Sequence, residues 1–186
     1  MAIAHAILAA LMDCPSSGYD LARRFDGSVG FFWEASHQQI YRELSKLEAA
    51  GHVTSETVQQ DIRPNKKLYS LTDSGRAFLI EWLRIPSSIS PIKDDLLVKL
   101  FSGHLVAPAI LLTELRHHRK QHQLRLTEYQ AIEDRLFPDT EALSEESTYP
   151  YLTLRNGIQL EQAWLRWCDN AIATLGSLQN EDPPQE

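Results

Sequence analysis

The chain has 186 residues, 43% of them hydrophobic and 23% charged, a balance that excludes disordered and fibrous classes and predicts a globular protein. Its formal net charge of -7 argues against a uniformly basic nucleic-acid-binding protein. The acidity is uneven, because residues 1–85 carry nine Lys/Arg against ten Asp/Glu, whereas residues 86–186 carry nine against fifteen. Two cysteines cannot form a disulfide framework, and no apolar run of about 18 residues occurs, so we expect a cytoplasmic protein without a membrane partner.

The amino-terminal segment predicts two helices. Residues 2–13 are rich in Ala and Leu and lack the Lys/Arg that opens a signal peptide, so we favour a buried helix that ends in the turn cluster 14–18. Ser17 is expected to cap the second helix, with Asp20 three residues further on. The inward face of this second helix is predicted to hold Tyr19, Leu21, Ala22 and Phe25.

A third helix is predicted over residues 36–50. Ser36 and Gln39 have the spacing of a capping box, and Gly51 is a typical stop signal after the last turn. The helical period places one apolar stripe on the buried side, consisting of Ile40, Leu44 and Leu47. The opposite side is predicted to carry Gln38, Arg42, Ser45 and Lys46, with Gln39 beside them.

A period-two pattern follows the third helix. Residues 53–59 and 67–71 alternate on either side of the turn 61–65, which predicts a β-hairpin. A fourth helix begins within residues 72–75 and carries Phe78, Leu79, Trp82 and Leu83. The order of three helices, a hairpin and a helix predicts a winged helix-turn-helix domain over residues 1–85.

The segment 85–91 is the clearest break in the chain, because it is uncharged and bracketed by prolines. Beyond it we predict a helical dimerisation domain over residues 92–178, followed by a disordered tail, 179–186. Its helices are expected over 93–102, 108–136 and 150–178, with an acidic loop up to residue 147. The predicted fold class is therefore mainly α with a small β-hairpin.

The final predicted helix is apolar on two sides. One stripe, which we assign to dimerisation, consists of Leu154, Ile158, Leu165, Cys168, Ile172 and Leu175, with Glu161 as its polar intruder. A second stripe consists of Leu160, Trp164, Trp167 and Ala171. Because both sides have to be covered, one is expected to face the same chain and the other a second subunit, which predicts a homodimer.

The outward side of the third helix suits the major groove of duplex DNA, which admits one α-helix. Gln38 and Gln39 are suited to adenine edges and Arg42 to guanine, while Ser45 and Lys46 suit phosphates or further bases. Such a side, taken alone, is more often simply a solvated surface, and so is a turn with three cations. The order of the two features gives them weight, because the predicted wing follows the helix directly and carries Arg63, Asn65, Lys66 and Lys67.

The motifs of residues 17–21, 37–51 and 66–75 together resemble the PadR family of transcriptional regulators. The segments 155–158 and 161–169 resemble the helical domain of virulence activator alpha proteins in the longer PadR-like subgroup. The resemblance implies a homodimer on a roughly palindromic operator, usually a repressor and sometimes an activator, with Tyr41 near the DNA backbone. The predicted DNA-binding set is Ser36, His37, Gln38, Gln39, Tyr41, Arg42, Ser45, Lys46, Arg63, Asn65, Lys66 and Lys67.

Other residues of the sequence are candidates for other functions. His118 and His122 have a spacing that suits two metal ligands, but without a third ligand nearby we favour packing or a pH-sensitive interface and expect no metal or cofactor. The resemblance to the PadR family, some members of which bind flat aromatic compounds, makes Trp82, Trp164 and Trp167 candidates for binding a small aromatic effector, although such residues are more often core. No catalytic motif occurs, so an enzyme is not expected. The alternative function is a winged helix that docks only proteins, which would favour apolar residues where Gln38 and Arg42 stand.

Overall fold

The computed structural model describes residues 2–27, 35–59, 65–89 and 91–180, and the chain divides into two compact units, Met1–Ile89 and Ser90–Glu186. The first unit contains α1 (Ala2–Ala10), β1 (Ser16–Ser17), α2 (Gly18–Gly27), α3 (His37–Ala49), β2 (Val53–Val58), β3 (Lys66–Leu71) and α4 (Asp73–Leu83). The second contains α5 (Asp95–Phe101), a 3-10 turn (Gly103–Leu105), α6 (Pro108–Leu136) and α7 (Glu145–Asn180). The predicted class, mainly α with a small β-hairpin and a winged helix, is confirmed.

A small antiparallel sheet of order β1-β3-β2 joins the hairpin to the start of α2. Along the hairpin, Val53 pairs with Leu71 and Val58 with Lys66. Strand β1 pairs Ser16 with Tyr69, and it was predicted only as part of a turn cluster. Two residues are too few to show an alternating pattern, so this strand is defined by its partner and not by its own sequence.

The core of the first unit lies between α1, α2 and α3. Ile7, Leu8, Leu21, Ile40 and Leu44 are all fully buried in one apolar cluster. The prediction that Tyr19 belongs to this core was wrong, because its side chain is 57% exposed. Tyr19 precedes Leu21 by two residues, about 200° around the helix, and therefore points away from the side that Leu21 buries.

The second unit is built on the pairing of α6 with α7. Helix α6 has the predicted bounds, whereas α7 begins five residues before Pro150, the predicted start. Ser144 explains the difference, because its hydroxyl accepts a hydrogen bond from the Ser147 amide at 3.2 Å and its carbonyl accepts one from Thr148 at 3.0 Å. At its other end α7 includes residues 179 and 180, and the rest of the predicted tail lies outside the described residues. Within the described ranges, no helix is both long and apolar enough to cross a membrane.

The structure changes the assignment of the first apolar stripe of α7 to dimerisation. Four of its members lie in the core of the second unit, with exposures of 3% for Leu154, 1% for Ile158, 9% for Leu165 and 0% for Cys168. They share this core with Leu111, Leu112, Leu115, Leu126 and Tyr129 of α6. A side chain that its own subunit covers has no surface left for a second subunit, so the assignment of these four residues to a dimer contact was wrong. Ile172 and Leu175 are half-buried.

Replacement of Gly75 by alanine is expected to destabilise the first unit by about 1–3 kcal/mol. A Cβ atom at this position of α4 would lie 2.0 Å from the carbonyl oxygen of His52. That oxygen also accepts hydrogen bonds from the Thr72 amide at 3.2 Å and from the Thr72 hydroxyl at 3.0 Å, so it cannot easily move aside. Urea unfolding of the variant, compared with the parent protein, measures the effect.

Gly176→Ala is the matched control for this substitution. Gly176 also lies inside a helix, α7, but nothing lies within 4 Å of the Cβ that it would gain. Alanine is there expected to stabilise the chain by about 0.5–1 kcal/mol, because it restricts the unfolded backbone more than glycine does. Equal shifts of the two unfolding curves would contradict the close approach of Gly75 to His52.

Candidate nucleic-acid interface

Helix α3 presents its two sides as predicted. Ile40, Leu44 and Leu47 are buried, which confirms the apolar stripe. The outward side is exposed and comprises Gln38, Gln39, Tyr41, Arg42, Ser45 and Lys46. The hydroxyl of Ser45 donates to the Tyr41 carbonyl at 3.1 Å. The polar side of the helix is therefore open to a ligand.

The start of α3 is fixed by the capping box that the sequence predicts. The Ser36 hydroxyl accepts a hydrogen bond from the Gln39 amide at 3.3 Å, and the Gln39 side-chain oxygen accepts one from the Ser36 amide at 2.9 Å. The Gln39 side chain thus turns back to the N-terminus of the helix, where it stabilises the first turn. Gln38 and the exposed His37 follow Ser36 in the same turn. Of the two glutamines predicted to read bases, Gln39 is engaged in the cap.

Tyr41 packs against the N-terminus of α2, a contact that the sequence analysis missed. A Cβ atom added to Gly18 would overlap the Tyr41 ring at 2.3 Å, so the ring lies directly over the glycine backbone. Tyr41 remains 45% exposed. The helix pair α2 and α3 is thereby held close at its outer edge, and the absence of a side chain at Gly18 is what permits the contact.

The lysines of the predicted interface are all paired with carboxylates of their own subunit. Lys46 contacts Glu43 at 2.9 Å within α3. At the turn end of strand β3, Lys66 contacts Asp20 of α2 at 2.7 Å, and Lys67 contacts Glu48 of α3 at 2.8 Å. Only the first pair has a local spacing that the sequence could have revealed.

Arg42 differs from these lysines. Its side chain is exposed, and within the described part of the chain its guanidinium has no ion-pair or hydrogen-bond partner. Asn65 is likewise exposed at the start of the returning strand, whereas Arg63 of the predicted wing lies outside the described residues. Arg42 is therefore a cation that can engage a ligand without first leaving a partner.

The pairing of the hairpin lysines changes the acidity of their partners. The hydrogen bond from Lys66, together with the one from the Ser17 hydroxyl, lowers the pKa of Asp20 below its ordinary value. Lys67 and the Ser55 hydroxyl lower the pKa of Glu48 in the same way, and Glu48 raises the pKa of Lys67. Both carboxylates therefore stay ionised throughout the neutral range.

The three tryptophans proposed for an effector fall into both units. Trp82 of α4 stacks on His5 with ring centroids 4.4 Å apart. On α7, Trp164 and Trp167 meet edge to face at 5.1 Å. Trp164 also stacks on His122 of α6 at 4.9 Å, so it has neighbours in its own unit whether or not a ligand binds.

His122 is engaged by a carboxylate rather than by other histidines. Its Nδ1 lies 2.5 Å from a carboxylate oxygen of Glu161, the buried polar residue of the α7 stripe. The rings of His118 and His122 have centroids 6.5 Å apart. Within the described ranges no group of three His, Cys, Asp or Glu side chains is arranged to hold a metal ion. The burial of Glu161 is explained by this contact with His122 and by Arg125 at 3.7 Å.

Comparison with known proteins agrees with this arrangement. Residues 7–81 match the model of the transcriptional regulator PadR-like family, and residues 92–176 match that of the virulence activator alpha C-terminal domain. A Mycobacterium tuberculosis protein described as a probable transcriptional regulator is 42% identical over 94% of this chain and 98% of its own length. The chain belongs to the PadR-like family. The negative transcriptional regulator PadR of Bacillus subtilis is 30% identical over 92% of this chain and 96% of its own.

Solved structures of PadR-like proteins share the fold. The crystal structure of Bacillus subtilis PadR in complex with operator DNA has a TM-score of 0.82 at 28% identity and covers 94% of this chain and 99% of its own. The Vibrio cholerae virulence activator AphA has a TM-score of 0.76 at 31% identity over 95% of this chain and 99% of its own. The predicted resemblance is confirmed, and the chain is a transcriptional regulator of the PadR-like family rather than an enzyme.

Proposed function

We propose that this PadR-like regulator is a homodimeric repressor that reads a roughly palindromic operator with α3 and the wing. The observation that carries the proposal is the outward side of α3, where Arg42 is exposed and free of any described partner. An arginine of this kind matches the O6 and N7 acceptors of guanine, and Gln38 one turn earlier matches adenine. The similarity to a negative regulator of Bacillus subtilis supports repression.

The dimer is proposed to form through the second stripe of α7. Leu160 is 53% exposed there, Trp164 and Trp167 are half-buried, and Ala171 follows one turn later. These side chains lie beside the buried stripe that α6 covers. An apolar surface next to a filled core is a suitable site for the same surface of a second subunit.

We further propose that a small aromatic molecule modulates the protein. A structure of Bacillus subtilis PadR in complex with p-coumaric acid, with a TM-score of 0.77 at 28% identity, supports this class of ligand. Trp164 and Trp167 offer ring faces and edges in the second unit, and Trp82 offers a ring face in the first.

The cytoplasm is the proposed location, because DNA is found there and both cysteines, Cys14 and Cys168, are free thiols.

Duplex binding tests the proposal. We expect the protein to retard the DNA upstream of its own gene in a mobility-shift assay, with a log-log salt slope of about -7 if about eight phosphates are neutralised. The double variant Lys66→Ala/Lys67→Ala removes four of these contacts per dimer and should flatten the slope by at most about 3 to 4. Circular dichroism establishes that the variant is folded.

Two outcomes would contradict the proposal. Equal salt slopes for the parent and the lysine variant would remove the wing from the interface with DNA. Failure to retard any duplex at low salt would favour the alternative function, a winged helix that docks another protein. In that case the exposed side of α3 would have to bind a polar protein surface.

A further inference from the structure

The two lysines that begin the returning strand of the wing, Lys66 and Lys67, are held by carboxylates from two different helices. Asp20 reaches Lys66 from α2, and Glu48 reaches Lys67 from α3. In each pair both side chains are between 33% and 47% exposed. The pairs thus lie at the surface, where a phosphate could replace the carboxylate.

Both carboxylates are positioned by a second hydrogen bond. The Ser17 hydroxyl donates to Asp20 at 2.8 Å, and the Ser55 hydroxyl donates to the other oxygen of the Glu48 carboxylate. Ser17 is itself almost fully buried in the short strand β1, so it cannot easily turn away from Asp20. The carboxylates of Asp20 and Glu48 are therefore held beside the lysines by contacts within the domain and are not mobile counterions.

We propose that Asp20 and Glu48 compete with DNA phosphates for Lys66 and Lys67, and so keep the affinity for duplex of arbitrary sequence low. The inference rests on the proposed contact of the wing with DNA. Each lysine has to leave its carboxylate before it can neutralise a phosphate, whereas Arg42 has no described partner to leave. The competition therefore weakens the contacts of the lysines with the DNA backbone and does not affect the contact of Arg42 with a base.

The physics of DNA binding explains why such competition matters. Binding to arbitrary sequence depends almost wholly on phosphate neutralisation and on the release of counterions from DNA. When a lysine leaves a carboxylate, the freed carboxylate attracts cations from solution less strongly than DNA does, so the net number of ions released is reduced but does not fall to zero. Because the pKa of Asp20 and of Glu48 is lowered, this counter-charge is present at every pH near neutrality.

The test uses three substitutions that each remove one negative charge, Asp20→Asn, Glu48→Gln and the control Glu56→Gln. The amides keep an oxygen for the serine hydroxyls but no longer hold a lysine by charge. Glu56 lies on β2, is exposed, and has no ion pair within the described part of the chain. The full-length protein is titrated into a fluorescein-labelled duplex of about 20 base pairs of random sequence at several salt concentrations.

We expect Asp20→Asn/Glu48→Gln to bind the random duplex about tenfold more tightly than the parent, with a steeper salt slope. Glu56→Gln should change the affinity less than about threefold and leave the slope unchanged. A double variant with the affinity and slope of the parent would overturn the inference, and so would an equal gain in the control. The thermal midpoint of each variant is measured as well, because a purely structural role would lower it without raising the affinity.

The lysine variant separates this inference from the function on which it rests. If Lys66→Ala/Lys67→Ala weakens binding but the two acid substitutions have no effect, the wing contacts DNA and the competition is refuted. If the lysine variant binds with the slope of the parent, the wing contact itself is refuted. Combining all four substitutions should abolish the gain, since no lysine is then left to release.

Discussion

Replacement of Arg42 by alanine will weaken binding to the operator by about 1–3 kcal/mol while the protein stays folded. The guanidinium is exposed and makes no hydrogen bond or ion pair within the described part of the chain, so its loss leaves no buried group without a partner. The loss falls on binding because a bidentate contact with guanine is replaced by solvent. Fluorescence anisotropy with operator and random duplexes measures it, and the operator should lose more affinity than the random duplex.

Two further variants show whether Arg42 recognises a base or only supplies a positive charge. Arg42→Lys keeps the charge but not the planar fork, so it should retain binding to random duplex and still lose preference for the operator. Arg76→Ala removes the same charge from an exposed position on α4 and should leave the preference intact. A comparable loss of operator preference in Arg76→Ala would show that Arg42 acts only through its charge.

Aspartate substitutions in the two stripes of α7 are expected to have different effects. Ile158→Asp should unfold the second unit, whereas Leu160→Asp should separate the subunits. Ile158 is 1% exposed in the core of the second unit, so a carboxylate there should destabilise the unit by about 4 kcal/mol or more. Leu160 lies two residues away but is 53% exposed, so its replacement should leave the helices folded and separate the subunits. Circular dichroism reports the folding and light scattering the mass.

The outcome distinguishes the corrected assignment from the original one. A folded monomer from Ile158→Asp would restore that residue to the dimer contact. A stable dimer from Leu160→Asp would remove the second stripe from it. Leu178→Asp is a suitable control, because this position is also exposed on α7 but close to the end of the helix, where one charge should disturb neither property.

Local signals allowed the sequence to predict much of the fold. The capping box at Ser36 and Gln39 predicted the start of α3, and Pro108 predicted the start of α6, because the first signal depends on two residues one turn apart and the second on one residue. The start of α7 was wrong because Pro150 is the stronger signal by residue type, whereas Ser144 is the residue that makes the capping hydrogen bonds. Helix ends are predictable only where a single cap dominates.

The candidate interface was predicted less completely, for a different physical reason. Sequence periodicity indicates which side of α3 is exposed, but it does not show what a side chain does once the elements have packed. Asp20 and Lys66 are far apart in the chain, as are Glu48 and Lys67, and they meet only because β3 lies beside both helices. For the same reason the sequence did not show which side of α7 is covered by its own chain, since apolar content does not distinguish a neighbour in the same chain from one in another.

Different residues of α3 attach the helix to the domain and face outward, and this separation has a consequence for how such regulators diversify. Its attachment to the domain depends on three apolar residues, a cap and the contacts of Tyr41 and Glu48. None of the outward positions Gln38, Arg42 and Ser45 is needed to fill the core. Relatives can therefore exchange these side chains without disturbing the fold, and a new target sequence can evolve in a few substitutions. The same property makes the helix a convenient place to redesign binding preference in the laboratory.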